Sequence, residues 1–178
     1  MAERLIVRIP DELDRRYSIL IERGLLSRLG DRAAEFGLDG HVALLTNTTV
    51  ADLYAEQVAE QLPNVQIATM GDGEQYKTLD SVHDFYNAML EMGADRKTMV
   101  LALGGGVVGD TAGFAAATYM RGVRIVQVPT TLLSMVDSSV GAKVGVDVPQ
   151  GKNLIGAFKQ PDAVLIDLPQ LSEDQPAH

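Results

Sequence analysis

Met99–Leu103 is a run of five consecutive apolar residues that leads directly into Gly104-Gly105-Gly106. The run is too short for a helix and offers no polar face to water, so it reads as a strand buried on both sides. Strands of that kind occur in parallel sheets covered by helices on both faces, and this expectation orders the rest of the chain.

The flanking segments agree with it. Leu5–Ile9 and Tyr17–Ile21 read as short strands, and Leu25, Leu26, Leu29, Ala33 and Phe36 follow at helical spacing before Gly37 and Gly40. His41–Leu45 reads as a strand and Thr46–Thr49 as a polar turn. A helix then places Val50, Leu53, Tyr54, Val58 and Leu62 on one face and stops at Pro63. Val65–Met70 is the next strand and Asp72–Lys77 a polar loop. Leu79, Val82, Phe85, Tyr86, Met89 and Leu90 mark another amphipathic helix, ending near Gly93. Val107–Tyr119 is small and apolar, a helix packed closely on a sheet, and Val123–Val128 and Ala163–Leu168 complete the strands. The fold class expected is α/β, a Rossmann-like parallel sheet with helices on both faces, in one domain over residues 1–178. Ligands in such folds bind beyond the carboxyl ends of the strands.

Charge narrows the partners. With 15 Lys and Arg against 24 Asp and Glu, the net charge of −9 disfavours nucleic acid and anionic membranes, both of which require a positive field. There is no cysteine for a disulfide or a thiolate metal site. The first residues lack the apolar core of a signal peptide, and no apolar run approaches the roughly 20 residues of a membrane span. A cytoplasmic protein with a small-molecule partner is the expectation.

Four loops are candidates for chemistry. In the first, Gly104–Asp110, a triple glycine lets the backbone approach a ligand, and the helix behind it offers free N–H groups to a pyrophosphate. Tight strand–helix packing would explain the same glycines, and the acidic ribose partner about 20 residues further on is missing. Asp110 serves either the helix terminus or a cofactor. Asp72–Lys77 follows a strand and reads more readily as a solvated turn than as a site, while Thr130 and Thr131 read more readily as helix caps than as donors to a phosphate or ribose. The fourth, Asp137–Phe158, gathers Asp137, Lys143, Lys152 and Asn153 among glycines in a stretch too irregular for a helix or a single strand. Two ammonium groups, an amide and a carboxylate suit an anionic polyol.

The run GGGVVGDTAGFAAATYMRGVRIVQVPTTLLSMVDSSVGAKVGVDVPQGKNLIGAFKQPDAVLID, from Gly104 to Asp167, resembles the 3-dehydroquinate synthases nearly residue for residue. The DGEQYK loop at Asp72–Lys77 and the weaker TNTTVADLY stretch at Thr46–Tyr54 agree with it. The resemblance implies a cyclase of the shikimate pathway that depends on NAD and a divalent metal, zinc or cobalt. It converts 3-deoxy-D-arabino-heptulosonate 7-phosphate into 3-dehydroquinate and phosphate. The hydride taken by NAD⁺ returns within the turnover, so the enzyme is a lyase.

Carried over by position, the resemblance makes Asp72, Gly73, Glu74, Gln75, Tyr76 and Lys77 cofactor contacts. Gly105, Gly106, Val107, Val108, Gly109 and Asp110, with Thr130 and Thr131, join them. Asn47 is implied at the adenosine end, and Gln170, Leu171, Ser172 and Glu173 form a further cofactor loop. Asp137, Lys143 and Asn153 become substrate ligands, Lys143 and Lys152 are cofactor contacts, Lys152 near the nicotinamide, and Arg121 reaches the substrate phosphate of a neighbouring subunit in a homodimer. Ala142, Asp147, Val148 and Lys159 depart from the commonest residues of the family. The family's metal ligands, a Glu and two His, belong to a second, mostly helical domain. None of His41, His83 and His178 matches them, so these 178 residues are expected to bind NAD without turnover. Other sugar phosphate cyclases, an alcohol dehydrogenase, or a non-catalytic NAD-binding module are the alternatives.

Overall fold

The computed structural model describes residues 3–8, as backbone, and 16–168. A seven-stranded sheet runs through it in the order β1-β2-β9-β6-β5-β3-β4, formed by β1 (Glu3–Arg8), β2 (Arg16–Glu22), β3 (Val42–Asn47), β4 (Val65–Met70), β5 (Met99–Gly104), β6 (Arg124–Pro129) and β9 (Ala163–Asp167). From β2 to β4 every pairing is parallel, and β1 closes one edge antiparallel to β2. All six residues of β3 and of β5 are buried, as a strand covered on both faces must be.

The helices lie on both faces, as expected. One face holds a 3-10 helix, Leu26–Phe36, which ends at Gly37 in the left-handed conformation (φ 70°). Beside it a continuous helical stretch passes through α1 (Thr48–Val50), a π-helical segment (Ala51–Ala55) and α2 (Glu56–Ala59). Leu29 and Val58 of these helices share a core with Leu38, with Leu44 of β3 and with Leu101 of β5. On the other face α3 (Leu79–Glu91) and α4 (Gly106–Thr118) pack Phe85, Met89, Val108 and Ala112 over Leu45, Val100 and Ile125. The buried carboxylate of Asp167 accepts hydrogen bonds from the Gly24 and Leu26 N–H groups at 2.8 and 2.9 Å, tying the end of β9 to the start of the 3-10 helix.

The structure corrects several expectations. Thr46 and Asn47 extend β3, and Asn47 itself caps α1 by accepting the Val50 N–H at 2.8 Å, so no separate turn occupies Thr46–Thr49. Leu53, Leu79 and Leu90 are exposed although they fall at helical spacing, because each helix turns only part of its apolar stripe to the sheet. The largest revision concerns Asp137–Phe158. A π-helical turn, Ser134–Ser138, leads into an antiparallel hairpin of β7 (Lys143–Val148) and β8 (Gly151–Phe158), joined through Pro149 and Gln150. Its alternation is hidden because the glycine pair Gly145 and Gly156 faces across the strands. The hairpin lies on α4, where Gly113 makes room for Val144; a Cβ at Gly113 would collide with that side chain.

Candidate functional site

One cavity opens at the carboxyl ends of β3, β4, β5 and β6, and a second lies between α4, the Ser134–Ser138 turn and the β7–β8 hairpin. The first, of about 330 Å³, lies at the amino end of α4 and within the range of small-ligand sites. Gly105 is the N-cap of α4, and no side chain caps that helix. The first N–H groups of a helix have no intrahelical acceptor, so those of α4 remain available to an anion together with the positive end of its dipole. Gly105 has an ordinary φ of −74°, so conformational freedom is not what requires glycine. The reason is space. A Cβ would project to 3.4 Å from Thr131 Cγ2, filling the cradle between the glycine turn and the β6 loop.

Val107, Val108, Gly106, Thr130 and Thr131 line the same cavity, and so do Asn47, Asp72 and Gly73 from the β3 and β4 ends. Thr131 also keeps the capping role open to it in the sequence, accepting the Ser134 N–H at 3.2 Å. Gly109 faces the sheet, where its carbonyl accepts from Gln127 Nε2 at 3.2 Å, so close helix–strand packing explains this glycine.

The structure divides the Asp72–Lys77 run among different tasks. Asp72 and Gly73 reach the cavity; Gln75 Nε2 donates back to the Asp72 carbonyl, and the Tyr76 ring lies over Gly71. Glu74 turns out to Lys152, forming an exposed ion pair at 2.9 Å that raises the Lys152 pKa through its hydrogen bond. Lys77 turns inward and is buried. Its Nζ donates to Asp110 Oδ2 and to Asn153 Oδ1, each at 2.6 Å. One ammonium group therefore joins the loop after β4, the first turns of α4 and the hairpin.

Asn153 adopts a left-handed φ of 55°, held by its N–H donating to Asp147 Oδ1 at 2.7 Å, while the Asp147 N–H donates to the Lys77 carbonyl at 2.8 Å. Burial pushes the Asp110 carboxyl above its usual pKa, outweighing the opposing pull of Lys77. Asp110 thus caps nothing; it is the anionic partner of a buried lysine.

The second cavity, of about 670 Å³, is lined by Asp110, Asp137, Lys143 and Asn153. Phe158, 82% exposed, stands at its wall, and the nearby Leu133 and Val136 are each 68% exposed. Residues far apart in sequence therefore converge here, but two expected companions do not. Lys152 points to Glu74 on the outer side of the hairpin. Arg121 lies past the carboxyl end of α4 in a turn with φ of 69°, about 20 Å along the helix from Gly105 at the rise of an α-helix. Gln170–Glu173 and His178 lie outside the described residues.

Sequence reasoning missed Thr49 and the part played by Asp147. Thr49 Oγ1 donates to Asp72 Oδ2 at 2.8 Å, and only the pairing of β3 with β4 brings the two together. His41 bonds Gln66 and Thr98, and His83 bonds Asn87, so both are occupied at the surface. Among the described residues no group of three or more His, Cys, Asp and Glu side chains is placed to hold a metal ion.

Comparison with known proteins gives a consistent relation. Residues 67–177 match the family model described as 3-dehydroquinate synthase N-terminal. A 3-dehydroquinate synthase of Pelobacter propionicus is 51% identical over 160 residues, covering 88% of this chain and 45% of that protein. One from Citrifermentans bemidjiense is 49% identical over 175 residues, covering 96% and 48%. The chain thus spans about half the length of these relatives. Among solved structures, a 2-deoxy-scyllo-inosose synthase complexed with carbaglucose-6-phosphate, NAD⁺ and Co²⁺ superposes with a TM-score of 0.88 at 30% identity, covering 98% of this chain and 48% of that one. A 2-epi-5-epi-valiolone synthase from Streptomyces hygroscopicus, with NAD⁺ and Zn²⁺ bound, gives a TM-score of 0.81 at 30% identity, covering 94% and 47%.

Proposed function

The chain belongs to the 3-dehydroquinate synthase N-terminal family, and from that premise we propose that it supplies the NAD-binding part of an enzyme converting 3-deoxy-D-arabino-heptulosonate 7-phosphate into 3-dehydroquinate and phosphate. The observation that carries this reading is the uncapped amino end of α4, which opens through Gly105 and Gly106 onto a cavity shared with Asp72, Thr130 and Thr131. Those residues fit a dinucleotide: free N–H groups for the pyrophosphate, hydroxyls beside them, and a carboxylate for ribose.

When bound, NAD⁺ supplies reversible acceptance of a hydride. Gly105 and Gly106 give the pyrophosphate its close approach. Asp137, Lys143 and Asn153 bind the substrate in the second cavity, where an ammonium and hydrogen-bonding groups match an anionic polyol. Lys77 and Asp110 fix Asn153 in place. Lys152 serves near the nicotinamide once it leaves Glu74, and the exposed ion pair it gives up is weak. Its position on the far end of α4 supports Arg121 as a contact to the neighbouring subunit of a cytoplasmic homodimer. The resemblance to the family places the ligands of the divalent metal, a Glu and two His, in a second, mostly helical domain of the whole enzyme.

Titration of NAD⁺ into the Gly105→Val variant tests the cofactor site. The backbone there is unstrained, so the variant is expected to fold with a Tm close to that of the parent while NAD⁺ binding falls by at least about tenfold. Unchanged affinity would overturn the reading. Lys143→Met and Lys152→Met supply a second check. Both lysines have exposed side chains, and neither belongs to the buried core. Each change is expected to move Tm by no more than a few degrees and to lower turnover of the whole enzyme by about a hundredfold or more. Loss of stability with activity intact would make them structural lysines.

A further inference from the structure

The β7–β8 hairpin breaks its register at one place. Val146 pairs with Ile155 and Val148 with Gly151, so Asp147 alone stands opposite Lys152, Asn153 and Leu154. Extra residues on one strand bulge from the ladder and lose their partners across it. Asn153 lies in this bulge with φ of 55°, a conformation that a residue with a side chain keeps only where its surroundings hold it. Asp147 provides the hold. Its Oδ1 accepts the Asn153 N–H at 2.7 Å, and its own N–H donates to the Lys77 carbonyl at 2.8 Å. Lys77 Nζ closes the ring by donating to Asn153 Oδ1 at 2.6 Å. An ammonium group can only donate, so the Asn153 amide must turn its oxygen to Lys77. That leaves Nδ2, with its two N–H groups, for the cavity that Asn153 lines with Asp137 and Lys143.

We propose that Asp147 is a positioning residue for the substrate, locking the bulge so that the Asn153 amide meets the substrate as a hydrogen-bond donor. The proposal rests on the substrate cavity of the preceding reading and deepens it. Asp147 does not line that cavity, so it acts through Asn153. Without its carboxylate the Asn153 N–H loses its acceptor, and nothing in the bulge replaces the contact that fixes the left-handed backbone. The amide then turns away from Lys77 and from the substrate together. What the bulge requires is an acceptor oxygen and not a charge, so Asp147→Asn preserves the contact through its own Oδ1.

Two measurements test this. In this chain, hydrogen exchange at the Asn153 backbone N–H is expected to quicken about tenfold or more in Asp147→Ala and to stay near the parent rate in Asp147→Asn, with the β5 amides unchanged in both. In the whole enzyme, Asp147→Ala is expected to lower kcat/KM for the phosphorylated sugar acid by about tenfold to a hundredfold, while the Kd for NAD⁺ stays within about threefold. Asp147→Asn is expected to restore kcat/KM to within about threefold of the parent. Asn153→Asp keeps an oxygen for Lys77 but offers the substrate an anionic acceptor in place of a donor, and kcat/KM is expected to fall about a hundredfold or more. A purely structural Asp147 would lower Tm and leave kcat/KM of the folded variant unchanged. Parental kcat/KM in Asp147→Ala or in Asn153→Asp, or an Asp147→Asn variant as impaired as Asp147→Ala, overturns the proposal while the substrate cavity stands. A whole parent enzyme with no turnover of this substrate overturns the functional reading and this proposal together.

Discussion

Replacing Lys77 with methionine is expected to cost about 3–5 kcal/mol of folding stability, the range found when one partner of a buried ion pair is removed. The side chain is buried, and its Nζ is the shared donor to Asp110 and Asn153. Methionine fills much of the volume but leaves a carboxylate at the base of α4 and an amide of the hairpin without their donor. A domain stabilised by roughly 5–15 kcal/mol would lose a large part of its margin. Denaturant melts of parent and variant measure this directly, and a loss below about 1 kcal/mol would mean that Lys77 is no strut.

The loss should also depend on pH in a definite sense. Burial holds the Asp110 carboxyl above its ordinary pKa. A carboxyl raised in the folded state favours folding below its unfolded pKa, and that contribution disappears as pH rises through the folded value. Without Lys77 the charged form is harder still to bury. The deficit of Lys77→Met is therefore expected to be larger at about pH 8 than at about pH 5. A deficit that grows on acidification would assign the stabilisation to another group.

The 178 residues prepared by themselves are expected to bind NAD⁺ and to release no phosphate from 3-deoxy-D-arabino-heptulosonate 7-phosphate. A catalytic metal site of the zinc type requires about three protein ligands with one position left open. The described residues offer no such set, and His41 and His83 lie on separate segments with partners of their own. The larger cavity, proposed above for the substrate, is bordered by Phe158 with 82% of its surface exposed, so solvent reaches it. The measurement supplies NAD⁺, zinc or cobalt, and substrate, and follows phosphate. Turnover close to that of an intact synthase would show that these residues hold the metal after all.

Much of this arrangement was legible in the sequence because it depends on local rules. The buried strand at Met99–Leu103, the glycine turn after it and the close packing of the following helix are all consequences of neighbouring residues, and the structure shows each of them. The length and order of the matching motifs likewise carried the family without any knowledge of contacts. Where a residue's task depends on a partner distant in sequence, local rules failed. Glycine pairs disguised the alternation of β7 and β8, so the hairpin was read as an irregular loop. Lys77 read locally as part of a solvated turn, yet its side chain is buried and its ammonium meets Asp110 and Asn153, 33 and 76 residues away. Parallel strand order does not follow chain order, and it brings Asp72 and Thr49 to the glycine turn from earlier in the chain. The sequence by itself determined the elements and the chemistry available at their ends. Only the tertiary structure decided which charges meet, because the pairing of β3 with β4 and β5, and of β7 with β8, sets those distances.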